Sequence, residues 1–352
     1  MTGKVLQVGI IGAGDVAQIV HIPTFAFLSR LFKVKTICDV SMTTASHCTA
    51  KFGISQSTTN PSDIFNDAAI DVVVVLTSDE YHAPYTIEAL RAGKHVLVEK
   101  PITLSLQAAE GILEAERAAA ATGGARVFVG YMRRYAPSSQ AFKREVASIG
   151  PIKYARVRDI IGPNAYFIGQ SGTDPQKFFE DIPTSASKDR KEKLAALLEQ
   201  AHGLSLMREV LGGLPAEVLA STDNNRWYTA MFDYRNRGES TNGERFTCLY
   251  EMGIDNVSRF DSQVAVFGEN KSVTICYDTP FVKGLGITVE IDELNEHGDK
   301  CHRSLQTSYE DAYTAELREL YEVVASGREI RTSATDAMED LKLFKMMMNK
   351  HV

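Results

Sequence analysis

The chain has 352 residues and a net charge of −7, with 44% hydrophobic and 24% charged residues. This length is enough for two domains with separate cores, and the composition is that of a folded globular protein rather than a disordered one. The acidic balance, without a run of Lys and Arg to offset it, argues against a nucleic-acid partner. We therefore expect no nucleic-acid partner.

Membrane and metal sites are also not expected. The longest purely apolar run, residues 72–76, is far too short to cross a bilayer, and no charged-then-apolar leader precedes the first predicted strand. We therefore expect a cytoplasmic protein with no membrane association. The five cysteines are scattered and form no C-x-x-C pair, so the sequence predicts neither a disulfide framework nor a metal site.

Residues 5–17 combine an apolar strand, a glycine turn and the start of a helix. Gly12 permits the tight turn, Gly14 lets the backbone approach a pyrophosphate, and Ala17 allows the helix to pack closely on the strand. The pyrophosphate would lie at the helix N-terminus, where free N–H groups favour an anion. The residues predicted to bind the cofactor here are Gly12, Ala13, Gly14, Asp15, Val16 and Ala17.

The next predicted strand, residues 34–39, ends in Asp39, at about the twenty-residue spacing of the acid that binds the adenosine ribose. No arginine follows in the turn to bind a 2′-phosphate, and the carboxylate repels one. The sequence therefore predicts NAD as the cofactor, with NADP less favoured. An ordinary ligand-free turn with an exposed Asp39 is the alternative.

Strand and helix patterns alternate as far as about residue 150, which predicts a doubly wound parallel sheet. The predicted strands are residues 5–11, 34–39, 71–77, 95–99 and 126–130, and a long helix is predicted at 105–121. Beyond Gly150 the pattern predicts a mostly antiparallel sheet. Its predicted strands are residues 152–161, 217–221, 227–234, 245–252, 262–267, 272–277 and 287–294, with final helices at 309–326 and 335–349.

The predicted fold is thus α/β, with an N-terminal Rossmann domain over residues 1–130 and an α+β substrate and oligomerisation domain over 131–352. The final helices can pack back toward the first domain. A long excursion, residues 163–188, leads into a charged helix predicted at 188–200. Long excursions are more often functional than idle.

Residues 96–101 form a strand that delivers Lys100, followed by Pro101, at its carboxyl end. Ligands of open α/β sheets bind at that end, and a lysine before proline is held out of the helical region, with a cis peptide accessible. Together with the glycine turn and residues 21–23, 77–82 and 130–137, this step resembles the Gfo/Idh/MocA oxidoreductase family. The resemblance covers nearly the whole sequence.

In that family the lysine of the Glu-Lys-Pro step lies beside the nicotinamide and the reacting carbon, and the resemblance implies this role for Lys100. It also implies a histidine at the start of a helix in the second domain, matched here by His202. The aspartate usual four residues earlier is replaced by Leu198. Glu199 would share a helix face with His202 and is predicted to orient it; a helix-surface histidine is the alternative. Further implied cofactor contacts are Thr77, Ser78, His82, Glu99 and Lys100.

These residues predict an NAD(P)-dependent oxidoreductase that transfers a hydride between the nicotinamide and a sugar-like or polyol-like secondary alcohol or ketone. Lys100 and His202 would handle the proton. Redox-neutral glycosidase or lyase-type chemistry with NAD and a non-catalytic NAD-binding regulatory protein remain open. The residues predicted to contact substrate are Tyr131, Arg133, Arg134, Tyr135 and Tyr166. A solvated surface for the arginines and loop packing for the aromatics are the alternatives.

Assembly is expected through the second domain. Helices can cover only one face of its sheet, and strands such as residues 262–267 place apolar residues at alternate positions with few charges to solvate an open face. The family resemblance implies sheet-to-sheet pairing of copies. The prediction is a homodimer or a homotetramer.

Overall fold

The computed structural model describes residues 3–181, 201–224, 226–236 and 243–350, which form two compact units. The first unit contains residues 3–131, 171–181 and 316–338, and the second contains the remaining described residues. The charged helix predicted at 188–200 lies outside the described residues. No helix in the described part of the chain is both long and apolar enough to span a membrane.

The first unit is built on a parallel six-stranded sheet of order β3-β2-β1-β4-β5-β6, which confirms the doubly wound sheet. Its strands are β1 (Leu6–Ile11), β2 (Phe32–Cys38), β3 (Gln56–Thr58), β4 (Val72–Val75), β5 (His95–Glu99) and β6 (Val127–Gly130). The β4 residues are fully buried because the sheet is covered on both faces. The strand order reverses beside β1, and such sheets bind ligands at the carboxyl ends of the strands there.

Helices cover this sheet: α1 (Ile22–Phe27), α2 (Met42–Phe52), α3 (Ser62–Phe65), α4 (His82–Arg91) and α5 (Leu106–Thr122). A π-helical turn, Ala17–His21, leads into α1. The start of α2 is set by the Ser41 side chain, which accepts a hydrogen bond from the Thr44 N–H at 3.0 Å. Gly53, at a φ of 68°, ends α2 in the left-handed conformation.

The second unit contains an eight-stranded sheet of order β14-β13-β12-β11-β7-β10-β9-β8. Its strands are β7 (Tyr154–Ile161), β8 (Glu217–Asp223), β9 (Trp227–Arg235), β10 (Arg245–Ile254), β11 (Phe260–Phe267), β12 (Lys271–Tyr277), β13 (Thr288–Leu294) and β14 (Lys300–Leu305). Only the β7–β10 pair is parallel among these described strands, so the predicted mostly antiparallel sheet is confirmed.

Two of this unit's helices lie on one face of the sheet. They are α6 (Pro137–Ala147), against β12 and β13, and α8 (Ala201–Leu211), against β7 and β11; α7 (Asn164–Ile168) is a short helix after β7. The sequence suggested few charges on the opposite face of the sheet, but that face carries several. Arg158 of β7 contacts Glu251 and Asp261 there, at 3.1 and 3.3 Å. The expectation was wrong because β7, β10 and Asp261 of β11 all supply charges to this face, whereas Val264 and Val266 of β11 are buried on the other face.

Two helices close the chain, α9 (Ala312–Ser326) and α10 (Ala334–Met348). Residues 316–338 belong to the first unit, where the Val129 N–H of β6 donates to the Thr332 carbonyl at 2.9 Å. All five cysteines are free thiols, and three of them are buried. No group of three His, Cys, Asp or Glu side chains within the described ranges is arranged to hold a metal ion.

Candidate functional site

The glycine turn after β1 has the geometry that a dinucleotide requires. Gly12 has a φ of +101°, and a Cβ there would lie 2.6 Å from the Leu76 carbonyl oxygen, so no other residue fits. Among the described residues, no atom lies within 4 Å of a Cβ position on Gly14, which leaves its backbone open to approach. Ala17 is buried where the helical turn meets the sheet. The turn therefore fits a pyrophosphate at its open glycine and helix N-terminus.

Asp39 joins this turn to the next one. Its Oδ2 accepts from the Ala13 N–H at 2.8 Å, and its Oδ1 accepts from the Ser41 N–H at 2.9 Å. The side chain is partly exposed, and each carboxylate oxygen has a second lone pair. Asp39 can therefore fix both turns and still accept hydrogen bonds from ribose hydroxyls. Of the other predicted cofactor residues in the turn, Asp15 and Val16 are partly exposed.

Lys100 follows β5 at the same carboxyl edge of the sheet, and its peptide bond to Pro101 is cis. Beneath it, the buried Glu99 carboxylate contacts His21 Nε2 at 2.9 Å and accepts from the Lys100 N–H at 3.1 Å. Burial alone would raise the pKa of Glu99. The hydrogen bond from His21 and the charges of His21 and Lys100 outweigh burial, so the pKa lies below its usual value. In this arrangement Glu99 supports the backbone of Lys100.

His82 supports the other side of the same step. Its Nδ1 lies 2.6 Å from the Pro101 carbonyl oxygen and its Nε2 lies 3.1 Å from the Thr77 carbonyl oxygen. The ring is buried, so His82 holds two backbone segments at the sheet edge together. Thr77 is partly exposed and Ser78 is exposed. Of these predicted cofactor residues, Thr77 and Ser78 are accessible at the sheet edge, whereas His82 and Glu99 are buried and hold the backbone of that edge in place.

The second unit contains a buried polar cluster built on Arg133 and Asp159. Arg133 Nη1 donates to Asp159 Oδ1 at 2.8 Å, and the guanidinium lies 4.5 Å from the centroid of the Tyr277 ring. Asp159 also accepts from the Ser262 hydroxyl at 2.6 Å. Asp159 Oδ2 and Arg133 Nε have no hydrogen-bond partner among the described residues, so the cluster retains polar capacity. The alternative of a solvated surface at Arg133 is excluded, because the residue is only 6% exposed.

The sequence did not identify Asp159, although a signal for it exists. Asp159 interrupts an apolar alternation in β7, following Ala155 and Val157 on the buried face. An acid in that register must be paired inside the protein. Its partners, however, come from distant parts of the chain.

His202 lies in the first turn of α8, one residue before Gly203. A Cβ on Gly203 would lie 2.3 Å from Asp159 Oδ2, so the glycine lets the helix approach the carboxylate. This places a carboxylate against the turn that carries His202. The predicted partner Glu199, and Leu198, lie outside the described residues.

The other predicted substrate residues differ in exposure. Arg134 is buried, with Nε 3.3 Å from Glu209 Oε2. Tyr131 and Tyr135 are also buried, at 1% and 5% exposure, whereas Tyr166 in α7 is 48% exposed. The two arginines and two tyrosines that follow β6 are therefore buried side chains and do not form a solvated surface.

Comparisons with known proteins agree with this architecture. Residues 6–131 match the family model described as "Oxidoreductase family, NAD-binding Rossmann fold", GFO_IDH_MocA. An uncharacterized oxidoreductase of Bacillus subtilis, YrbE, is 24% identical over 96% of this chain and 91% of its own length. Inositol 2-dehydrogenase of Paracoccus denitrificans is 32% identical, but the match covers 41% of this chain and only 42% of that enzyme.

A solved structure extends the similarity to the whole chain. KijD10, a 3-ketoreductase from Actinomadura kijaniata in complex with TDP-benzene and NADP, superposes with a TM-score of 0.75 at 19% identity, covering 99% of this chain and 98% of KijD10. At that identity the match shows a common fold. Residues 6–131 thus match the Gfo/Idh/MocA oxidoreductase family model with its NAD-binding Rossmann fold, and the rest of the chain shares the fold of KijD10.

Proposed function

We propose that this protein transfers a hydride between NAD and a secondary alcohol or ketone. One observation carries the proposal: Lys100 and the open glycine turn lie at the carboxyl edge of the same parallel sheet. When bound there, the nicotinamide supplies or accepts the hydride. A lysine ammonium held at that edge suits the oxygen of the reacting carbon, because that oxygen gains negative charge as the alcohol proton leaves.

The protein's own residues must manage the proton. In the oxidation direction the carbon loses a hydride and its hydroxyl loses a proton; reduction reverses both transfers. Lys100 donates a hydrogen bond to the substrate oxygen, and His202 takes up or returns the proton. The assignment of His202 rests on the family resemblance. Glu199 remains the proposed orienting residue, and Asp159 is a second carboxylate packed against the first turn of α8.

The proposed substrate class is sugar-like or polyol-like. The buried Arg133–Asp159 cluster supports it, because charged and hydroxyl groups with unused hydrogen-bonding capacity suit a ligand with several hydroxyls. The name of one similar protein, inositol 2-dehydrogenase, also supports a polyol, and that of another, a 3-ketoreductase, supports a ketone. The residues proposed to contact substrate are Tyr131, Arg133, Arg134, Tyr135 and Tyr166.

A turnover assay tests this function. The purified protein is incubated with NAD or NADP and a panel of polyols, sugars and their ketones, while nicotinamide absorbance and product formation are followed. A net absorbance change with one substrate class is the expected result. Product without net change would instead indicate redox-neutral chemistry, and tight NAD binding with no product would indicate a regulatory protein.

We also propose that residues 1–130 bind the cofactor and that residues 131–352 carry substrate contacts and pair with a second copy to form a homodimer or homotetramer. The open face of the second unit's sheet supports pairing, because Arg158 and Glu251 lie side by side and a two-fold axis can set opposite charges against each other. Light scattering at micromolar concentration should show an oligomer. A monomer alone would contradict this assembly.

A further inference from the structure

Residues 171–181, which we call the strap, cross the cofactor edge of the first unit. The buried Gln18 amide attaches the strap to the glycine turn: it donates to the Gln176 carbonyl at 2.7 Å and accepts from the Gln176 N–H at 3.0 Å. The same amide nitrogen donates to the Ala13 carbonyl at 2.8 Å. Beside it, Lys177 Nζ lies 2.6 Å from Asp15 Oδ2. The path of the strap is therefore specified by side chains next to the fingerprint turn.

The strap is attached a second time at the start of α2. The Thr44 hydroxyl accepts from the Phe178 N–H at 3.0 Å. Asp181 Oδ2 then accepts from the Thr43 N–H at 2.9 Å, and its carboxylate also accepts from the Ser41 side chain. These hydrogen bonds, first that of Ser41 and then that of Thr43, hold the pKa of Asp181 below its usual value. Asp181 is thus an anion on the first turn of α2.

The location of this anion bears on cofactor choice. Ser41, which hydrogen-bonds Asp181 through its side chain, donates its backbone N–H to Asp39, the predicted ribose-binding acid. A phosphate on the ribose 2′-oxygen would need hydrogen-bond donors in the turn after Asp39. The Thr43 N–H and the Ser41 hydroxyl are such donors, and a carboxylate of the protein already uses them.

We propose that Asp181, delivered by the strap, is a specificity-determining residue that disfavours NADP by occupying the donors of the β2–α2 turn and repelling the 2′-phosphate. It acts in addition to Asp39. The inference rests on the proposed use of a nicotinamide dinucleotide. It assigns a function to residues 171–181 of the long excursion after β7, which belong to the cofactor-binding unit.

Calorimetric dissociation constants for NAD and NADP test this role without any need for turnover. Asp181→Asn removes the carboxylate charge and should tighten NADP binding about tenfold, because the 2′-phosphate then no longer meets a like charge at close range. NAD has no 2′-phosphate, so its binding should be nearly unchanged. Glu180→Gln is the matched control. It removes the same charge one residue away, where the carboxylate accepts only from the neighbouring Phe179 N–H among the hydrogen bonds of the described residues.

The outcomes separate this inference from the proposed function. A tenfold gain for NADP with Asp181→Asn and little change with Glu180→Gln supports it. An NADP-to-NAD ratio that is unchanged by Asp181→Asn, or changed equally by both variants, overturns it while the oxidoreductase proposal stands. Failure of the unaltered protein to bind either dinucleotide would overturn both. Asp181→Ala, which also frees the two donors, should give at least the same gain as Asp181→Asn.

Discussion

Replacing Glu99 with glutamine should destabilise the first unit, because this carboxylate supports the Lys100 step from inside the protein. Glu99 is 8% exposed, and the His21 ring that contacts it at 2.9 Å is fully buried. Removing one partner of a buried ion pair costs about 3–5 kcal/mol, and a hydrogen bond to a charged group is worth about 1.5–3 kcal/mol. Glutamine keeps an oxygen for the Lys100 N–H, so we expect a loss of about 2–3 kcal/mol in the free energy of unfolding.

The same substitution should alter the pH dependence of stability. The pKa of Glu99 in the folded protein lies below the ordinary glutamate value, since the contacts with His21 and Lys100 outweigh burial. A carboxyl with a depressed folded pKa contributes stability above its unfolded pKa and loses that contribution as the pH falls through the folded value. As the pH falls below the ordinary glutamate pKa and through the lower folded value, the unaltered protein should therefore lose stability more steeply than Glu99→Gln.

Urea unfolding followed by circular dichroism, at neutral pH and at several acidic values, measures both effects. Glu88→Gln is the control, because Glu88 forms an exposed ion pair with Arg91 and such pairs contribute about 0–1 kcal/mol. Equal unfolding free energies for Glu99→Gln and Glu88→Gln at neutral pH would refute the supporting role of Glu99. Parallel acid profiles for Glu99→Gln and the unaltered protein would refute the pKa argument.

Three further predictions concern the site. Lys100→Ala should lower kcat by about 10²- to 10³-fold in steady-state kinetics while calorimetry shows an unchanged Kd for NAD. The control Lys33→Ala, at an exposed lysine, should change neither kcat nor Kd. Equal effects of the two variants on kcat would contradict the role of Lys100. His202→Ala should flatten the neutral limb of the pH–rate profile, and an unaltered profile would exclude His202 as the acid–base group. Gly12→Ala should abolish NAD binding in calorimetry, because its φ and its Cβ position are both forbidden, while Gly14→Ala should fold normally and only weaken binding; normal binding by Gly12→Ala would contradict the turn geometry.

The sequence predicted the first unit well because its signals are local. A glycine turn after an apolar strand and a buried β-branched run each specify their own conformation, and the strand predicted at residues 95–99 coincides with β5. The short polar strand β3 and the alternately exposed β14 carry no comparable apolar pattern, so neither was predicted. Their pairing partners, rather than their own residues, make them strands.

The sequence likewise predicted the site residues that lie in local motifs and missed those that depend on distant partners. Gly12, Asp39 and Lys100 lie in short motifs that a sequence shows directly. Asp159 is instead recognised by its hydrogen bond from Ser262, which is 103 residues away in the sequence. The strap likewise meets Gln18 across 158 residues. Such pairings arise only when distant strands and turns come together, and a single sequence does not record them.

Isotope transfer tests most directly whether a hydride is transferred at the sheet edge that carries Lys100. A substrate found in the turnover assay is deuterated at its carbinol carbon and incubated with NAD and the protein, and the recovered reduced cofactor is analysed by mass spectrometry. We expect one deuterium per reduced nicotinamide, and we expect Lys100→Ala to form this deuterated cofactor far more slowly. Oxidised substrate without deuterium in the cofactor, or an undiminished rate in Lys100→Ala, would contradict this expectation.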